Sequence, residues 1–204
     1  MKKDTINILR IVEYTTVDGP GFRTVVYASG CRHRCPGCHN PESWDINGGW
    51  AVKIEDVAKQ LVKEPFTDIT FSGGDPLEQA EEFAYLAFLI KKYSRKNIWC
   101  YTGYRYEEII ASDRFSLLLP HIDILVDGKF RIELRDENAL FRGSTNQRLI
   151  DVKKSLSKGK AVVADLAPQK IFATTPEDSK KPDAILNRLI YSPRKTERNG
   201  FKRI

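Results

Sequence analysis

Gly30-Cys31-Arg32-His33-Arg34-Cys35-Pro36-Gly37-Cys38-His39-Asn40 places three of the chain's four cysteines within eight residues. Their spacing is Cys-x3-Cys-x2-Cys. Thiols packed this tightly in one short loop add nothing to a core, so they point to metal or redox chemistry. The count of three is the informative feature. A structural zinc site closes a tetrahedron with four protein ligands. Ordinary iron–sulfur clusters also take four cysteines. A 4Fe–4S cluster held by Cys31, Cys35 and Cys38 leaves one iron without a protein ligand, and an open metal position is where a cofactor binds. The competing readings are a loop of surface thiols and a zinc site completed by His33 or His39. Zinc loops usually pair two separated Cys-x2-Cys knuckles, and no second knuckle occurs here.

The sequence around this loop reads as strand, then loop. Arg23 to Ser29 (RTVVYAS) is β-branched and aromatic, a strand that delivers the chain into the cysteines. Before it, residues 5–14 alternate weakly as an opening strand, and Asp18-Gly19-Pro20-Gly21 is turn chemistry. After it, residues 53–63 carry apolar positions 54, 57, 58, 61 and 62, a helical face. Asp68 to Phe71 is a short strand running into Ser72-Gly73-Gly74-Asp75-Pro76, and Glu78 to Tyr93 is the clearest helix. Asn97 to Thr102 reads as a strand, Tyr106 to Ala111 as a short helix and Ile122 to Val126 as a strand. Residues 151–157 read as a helix and Lys160 to Ala164 as a last strand. Strands alternating with helices predict an α/β fold with a parallel sheet. Right-handed crossovers then bring the loops Cys31–Cys38, Ser72–Pro76, Tyr101–Gly103 and Asp127–Gly128 to one sheet edge.

Gly73-Gly74-Asp75-Pro76 is weak by itself. Its glycines allow close backbone approach or positive φ, Pro76 suits a helix start, and Asp75 offers acceptors to a cation. One strand–helix unit after the cysteine triad, it gains weight.

The cysteine spacing resembles that of the radical S-adenosylmethionine (SAM) enzymes. Val17–Trp44 (VDGPGFRTVVYASGCRHRCPGCHNPESW) looks like the activating enzymes of glycyl-radical proteins. Together with TFSGGDPL, CYTGY, LVDGKF and LFRGSTNQRLIDV, the sequence is similar to the activating proteins of anaerobic (class III) ribonucleoside-triphosphate reductases, from about Ile6 to about Ala164. The resemblance implies a partial, open (β/α) barrel. It also implies a 4Fe–4S cluster on Cys31, Cys35 and Cys38 and S-adenosylmethionine on the fourth iron. The segment Ser72, Gly73, Gly74 and Asp75 would hold the cofactor's amino group, with Asp75 in place of the family's glutamate. Gly37 stands where many radical SAM enzymes have an aromatic residue, so backbone at Gly37, Cys38 and His39 is implied at the adenine. His39 either contacts the adenine or faces solvent. The implied partners are the large glycyl-radical subunit of the reductase and a one-electron donor such as a flavodoxin.

Two alternatives remain. One is activation of a formate-lyase-type glycyl-radical enzyme. The other is a non-enzymatic zinc or iron–sulfur module that binds nucleic acid.

Other residues carry two readings each. His33 either tunes a cluster sulfur or is exposed. Arg32 and Arg34 flank it and would offset cluster charge. Arg142–Gln147 contacts the cofactor or partner, or is a plain loop. Asp127 is a ligand contact or a turn. Cys100 reads as a small buried hydrophobe.

Composition sets the frame. The 204 residues are 41% hydrophobic and 29% charged, as in a globular chain. No stretch is apolar enough for a bilayer, no leader-like apolar run follows Met1, and a cytoplasmic location is expected. No hydrolase arrangement is evident. The net charge of +6 is unevenly spread: residues 1–151 hold 20 Lys and Arg against 22 Asp and Glu, and residues 152–204 hold 13 against 5. The main body therefore has no nucleic-acid footprint. The expected division is a radical SAM activase domain over residues 1–164 and a basic extension over 165–204. That extension is read either as a docking arm or as a solvated tail with a short helix at 183–191.

Overall fold

The computed structural model describes residues 4–166. The basic extension from residue 167 on, with its proposed helix, lies outside the described residues. Those up to Asp165 form one compact unit.

A seven-stranded sheet runs β3-β1-β2-β4-β5-β6-β7. The strands are β1 (Thr5–Thr15), β2 (Arg23–Ala28), β3 (Trp50–Lys53), β4 (Asp68–Gly73), β5 (Ile98–Tyr101), β6 (Ile124–Asp127) and β7 (Arg148–Asp151). The central four, β2-β4-β5-β6, pair in parallel. Helices α1 (Ile54–Lys63) and α2 (Ala80–Tyr93) supply the long crossovers that parallel pairing requires. Short helices α3 (Tyr106–Ile110) and α4 (Asp113–Ser116) join β5 to β6, and α5 (Val152–Lys158) follows β7.

The expected parallel sheet holds for the four central strands and is corrected at both margins. β1 pairs antiparallel with β2 and with β3, and β7 pairs antiparallel with β6. The reason is connection length and type. The Asp18–Gly21 turn folds β1 back on β2, and the chain from β6 to β7 returns without a helix long enough for a crossover. β3 and β7 are added at the margins by antiparallel pairing, and the sequence reading missed both. The last strand expected at Lys160–Ala164 reduces to one isolated bridge, Val163 to Ile150. The helix expected from Glu78 begins at Ala80. Pro76–Gln79 forms a 3-10 turn instead, whose first amides are satisfied by Asp75, which accepts from the Leu77 N–H.

Side chains alternate across the sheet with period two. Val26, Ala28, Ile69, Phe71, Ile98, Cys100 and Leu125 join the core shared with the helices. Phe71 meets Phe83 of α2 edge to face at 5.0 Å. Phe83, Leu86 and Ile90 are fully buried, each worth about 1.5–3 kcal/mol relative to exposure. Tyr27, Ser72 and Tyr101 point to the opposite face, where a cavity opens. Cys100 is thus a fully buried core residue on the helical side.

Candidate metal centre and cofactor cavity

The cysteine loop starts where β2 ends. Gly30 N donates to Ser43 O and Cys31 N to Trp44 O. The loop turns through positive φ at Gly30 (96°), Arg34 (47°) and Gly37 (72°), and Cys38 N donates back to Cys35 O at 3.1 Å. All three thiols are partly exposed. Backbone N–H groups point at them: Asn40 N lies 3.4 Å from Cys38 Sγ, His33 and Arg34 amides face Cys31, and the Phe130 amide faces Cys35. Burial pushes the Cys31 thiol up to about 11, and these amides oppose it. Burial raises Cys35 as well. Such amides favour a thiolate once a metal supplies positive charge. No three His, Cys, Asp or Glu side chains among the described residues converge on a single ion. A 4Fe–4S cluster does not need that, because each thiolate binds a different iron. Three thiolates with amide donors fit such a cluster.

The Ser72–Asp75 segment is stapled to the base of this loop. Gly74 N donates to Ala28 O and Asp75 N to Gly30 O at 2.8 Å. Both glycines are required by this approach. Gly73 has φ +96°, and a Cβ on Gly74 would sit 2.4 Å from Gly30 O. Asp75 was expected to offer free acceptors to a cation. Its side chain is only 2% exposed, and its oxygens accept from Leu77 N, Thr102 Oγ1, Gly103 N and His33 Nε2. His33 is therefore neither exposed nor free: Nε2 lies 2.9 Å from Asp75 Oδ2 and its ring meets Tyr104 at 4.5 Å. Arg32 faces Glu78 at 3.4 Å.

On the other side of the loop lies a cavity of about 680 Å³, within the usual range for small-ligand sites. Cys35, Cys38, His39 and Ser72 stand in its wall. Cys31, Gly37, Gly73, Gly74 and Asp75 lie beside that wall rather than in it. His39 packs on Phe130, centroids 5.1 Å apart. Two groups lining the cavity hold buried polar atoms without a partner: Asp18 Oδ2 and Arg142 Nε. Burial raises the Asp18 carboxyl, partly offset by the Thr15 hydroxyl and, less, by Arg23.

The sequence reading missed Asp18, Tyr27, Phe130 and residues 137–141 of the strap 137–143 as cavity residues, whereas Tyr101 of the Tyr101–Gly103 loop and Arg142, Gly143 and Gln147 of the Arg142–Gln147 segment do line it. Asp18 was visible in VDGPGFR but was read only as a turn. The strap reaches the cavity through tertiary contacts: Tyr101 Oη donates to Phe141 O, and Phe141 meets Trp99 edge to face. Asp127 is fully buried and spoken for, accepting from Tyr106 N and Arg148. In the 142–147 loop, Gln147 Oε1 accepts from the Gly143 and Ser144 amides.

A mixed α/β fold with three thiols at the carboxyl edge of its parallel strands defines an iron–sulfur protein, and the model of the 4Fe-4S single cluster domain family matches residues 17–150. Among curated proteins, the chain is 35% identical over 150 residues to the anaerobic ribonucleoside-triphosphate reductase-activating protein of Enterobacteria phage T4, covering 71% of this chain and 93% of that one. It is 36% identical over 153 residues to the protein of that name from Haemophilus influenzae (70% and 96%) and 37% over 141 residues to that from Escherichia coli K12 (64% and 89%). The chain belongs to this family of 4Fe–4S activating proteins. Among the described residues, no helix is long and apolar enough to cross a membrane.

Proposed function

We propose that the chain is a radical SAM activase that installs a glycyl radical on an anaerobic ribonucleoside-triphosphate reductase. The observation that carries this reading is the meeting of Cys35 and Cys38 with an open cavity on the side of the sheet away from α1 and α2. Bound on the three cysteines, a reduced 4Fe–4S cluster would supply one electron to split S-adenosylmethionine into methionine and a 5′-deoxyadenosyl radical, which takes a hydrogen atom from a partner glycine.

The chain's own share is to hold and to exclude. Its amide N–H groups stabilise three thiolates. The backbone of Ser72, Gly73, Gly74 and Asp75 is proposed to meet the methionine part, while the Asp75 carboxylate stays engaged within the chain. His39, on Phe130, and the backbone at Gly37 and Cys38 are proposed to hold the adenine. Asp18 and Arg142 bring an acceptor and a donor of opposite charge to a zwitterionic ligand. Positioning of this kind supplies about 7–11 kcal/mol of a barrier. We read the sheet as a partial, open barrel whose mouth admits a loop of the reductase's large subunit. Residues 1–164 form the activase domain, 165–204 a basic extension, and a flavodoxin-type donor in the cytoplasm supplies the electron.

Anaerobic reconstitution of the full chain with iron and sulfide, followed by reduction with S-adenosylmethionine and the reductase, tests this. The expected result is a brown chromophore, 5′-deoxyadenosine, and a glycyl radical by electron paramagnetic resonance (EPR). Full zinc occupancy without a chromophore, or no 5′-deoxyadenosine, overturns it.

A further inference from the structure

The face of the cysteine loop turned away from the cavity is built around one segment, Asp75–Glu78. Asp75 grips the chain on both sides of Cys31. Its amide donates to Gly30 O at 2.8 Å, and its carboxylate accepts from His33 Nε2 at 2.9 Å. Between these points Arg32 Nε lies 3.4 Å from Glu78 Oε2, whose side chain is 5% exposed. The Asp75 carboxylate also accepts from Thr102 Oγ1 and Gly103 N beyond β5, so it joins the cysteine loop, the end of β4 and the end of β5. The fit is tight. A Cβ on Gly103 would lie 2.3 Å from His33 Cδ2, and Tyr104 closes the ring's other side. Three separate motifs, Cys-x-His, Gly-Gly-Asp-Pro and Thr-Gly-Tyr, thus converge on one buried carboxylate. Cys35 and Cys38 stand in the cavity wall instead.

We propose that His33 and Asp75 are a positioning pair that fixes Cys31 and sets the charge beside the metal centre, and that the Asp75 carboxylate does not bind the cofactor. A carboxylate whose oxygens already take four donors has no acceptor left for a cofactor ammonium without abandoning the loop. Its charge is fixed near Cys31 and is moderated by the His33 N–H. Removing that donor exposes the charge, and removing the charge makes an added electron easier to hold. The consequence for the cofactor rests on the activase reading; the anchoring of Cys31 does not.

The test compares His33→Ala, His33→Gln, whose amide N–H restores a donor, and Asp75→Asn with the unaltered full chain. In metal-free protein, iodoacetamide labelling is followed at each cysteine by peptide mass spectrometry. The expected result is several-fold faster labelling of Cys31 in His33→Ala, return toward the unaltered rate in His33→Gln, and little change at Cys35 and Cys38. Equal acceleration at all three cysteines, or none at Cys31, overturns the pair. In reconstituted protein, the midpoint potential is expected to fall in His33→Ala and rise in Asp75→Asn, with S-adenosylmethionine affinity in Asp75→Asn within about threefold of the unaltered chain. An affinity loss of roughly tenfold or more with unchanged potential would make Asp75 a cofactor ligand and overturn the assignment. If the unaltered protein holds no cluster that responds to the cofactor, the activase reading falls, while the labelling pattern still decides the pair.

Discussion

The two sides of the cysteine loop differ in how their polar groups are satisfied. On the Asp75 side, a buried carboxylate, an imidazole, a hydroxyl and two amides answer one another. On the cavity side, Asp18 Oδ2 and Arg142 Nε are buried without partners; on the Asp75 side Glu78 Oε1 is such an atom, at the Arg32 end and outside the Asp75 network. Native interiors rarely leave such groups unpaired, because each costs about 1–3 kcal/mol. The Asp75 network is scaffold. The unpaired cavity atoms are the ones that the proposed ligand would complete.

Substitutions that treat the two sides differently sharpen this contrast. The largest effect is expected from replacing Cys31, Cys35 or Cys38 by Ala. Each is expected to abolish reconstituted iron and 5′-deoxyadenosine formation while circular dichroism stays native, since no core contact is lost. Gly74→Ala comes next. Its Cβ would press on the Gly30 carbonyl at 2.4 Å, a backbone atom that cannot swing aside, so urea unfolding should show a loss of about 1–3 kcal/mol. Asp18→Asn is expected to act in the opposite sense. It removes a buried charge with an unpartnered oxygen, so the urea midpoint should hold or rise, while turnover with S-adenosylmethionine falls roughly tenfold, or about 1.4 kcal/mol. A stability loss at Asp18 without an activity loss would break the comparison.

The smallest effect lies far from both sides. Asp151 caps α5 by accepting from Lys154 N at 2.9 Å, and Asp151→Ala should cost about 1 kcal/mol in urea unfolding. That amide holds the Asp151 carboxyl below its usual range. A group with a depressed folded value stabilises the fold above its unfolded pKa, near ~4, and loses that contribution as pH falls through the folded value. The difference between the parent chain and Asp151→Ala should therefore shrink on acidification below pH ~4.

The parallel core was legible because β2, β4, β5 and β6 alternate with turns and helical patterns. The helical face of α1 appears at Ile54, Val57, Ala58 and Leu61, all buried, while Val62, also expected on it, is only half-buried. β3 and β7 were not legible, because antiparallel pairing with β1 and β6, rather than their own pattern, decides them. The tight base of the cysteine loop was only half legible. Gly73-Gly74 announced close approach, but Ala28 and Gly30 as the neighbours approached could not be read. His33 and Asp75 were each singled out, yet their contact was invisible across 42 residues.

The amino-acid sequence alone determined the chemistry on offer: a three-thiol loop, the strand that delivers it, and the glycine pair that follows. Ligand type and local spacing are properties of neighbouring residues, so they survive without a fold. Tertiary structure decided which groups meet. It engaged Asp75 with His33, left Asp18 Oδ2 and Arg142 Nε without partners at the cavity, and brought the 137–143 strap into the same cavity wall as Cys35 and Cys38. Those outcomes depend on strand order and on contacts between distant segments. A single linear pattern holds no record of which donor reaches which acceptor first.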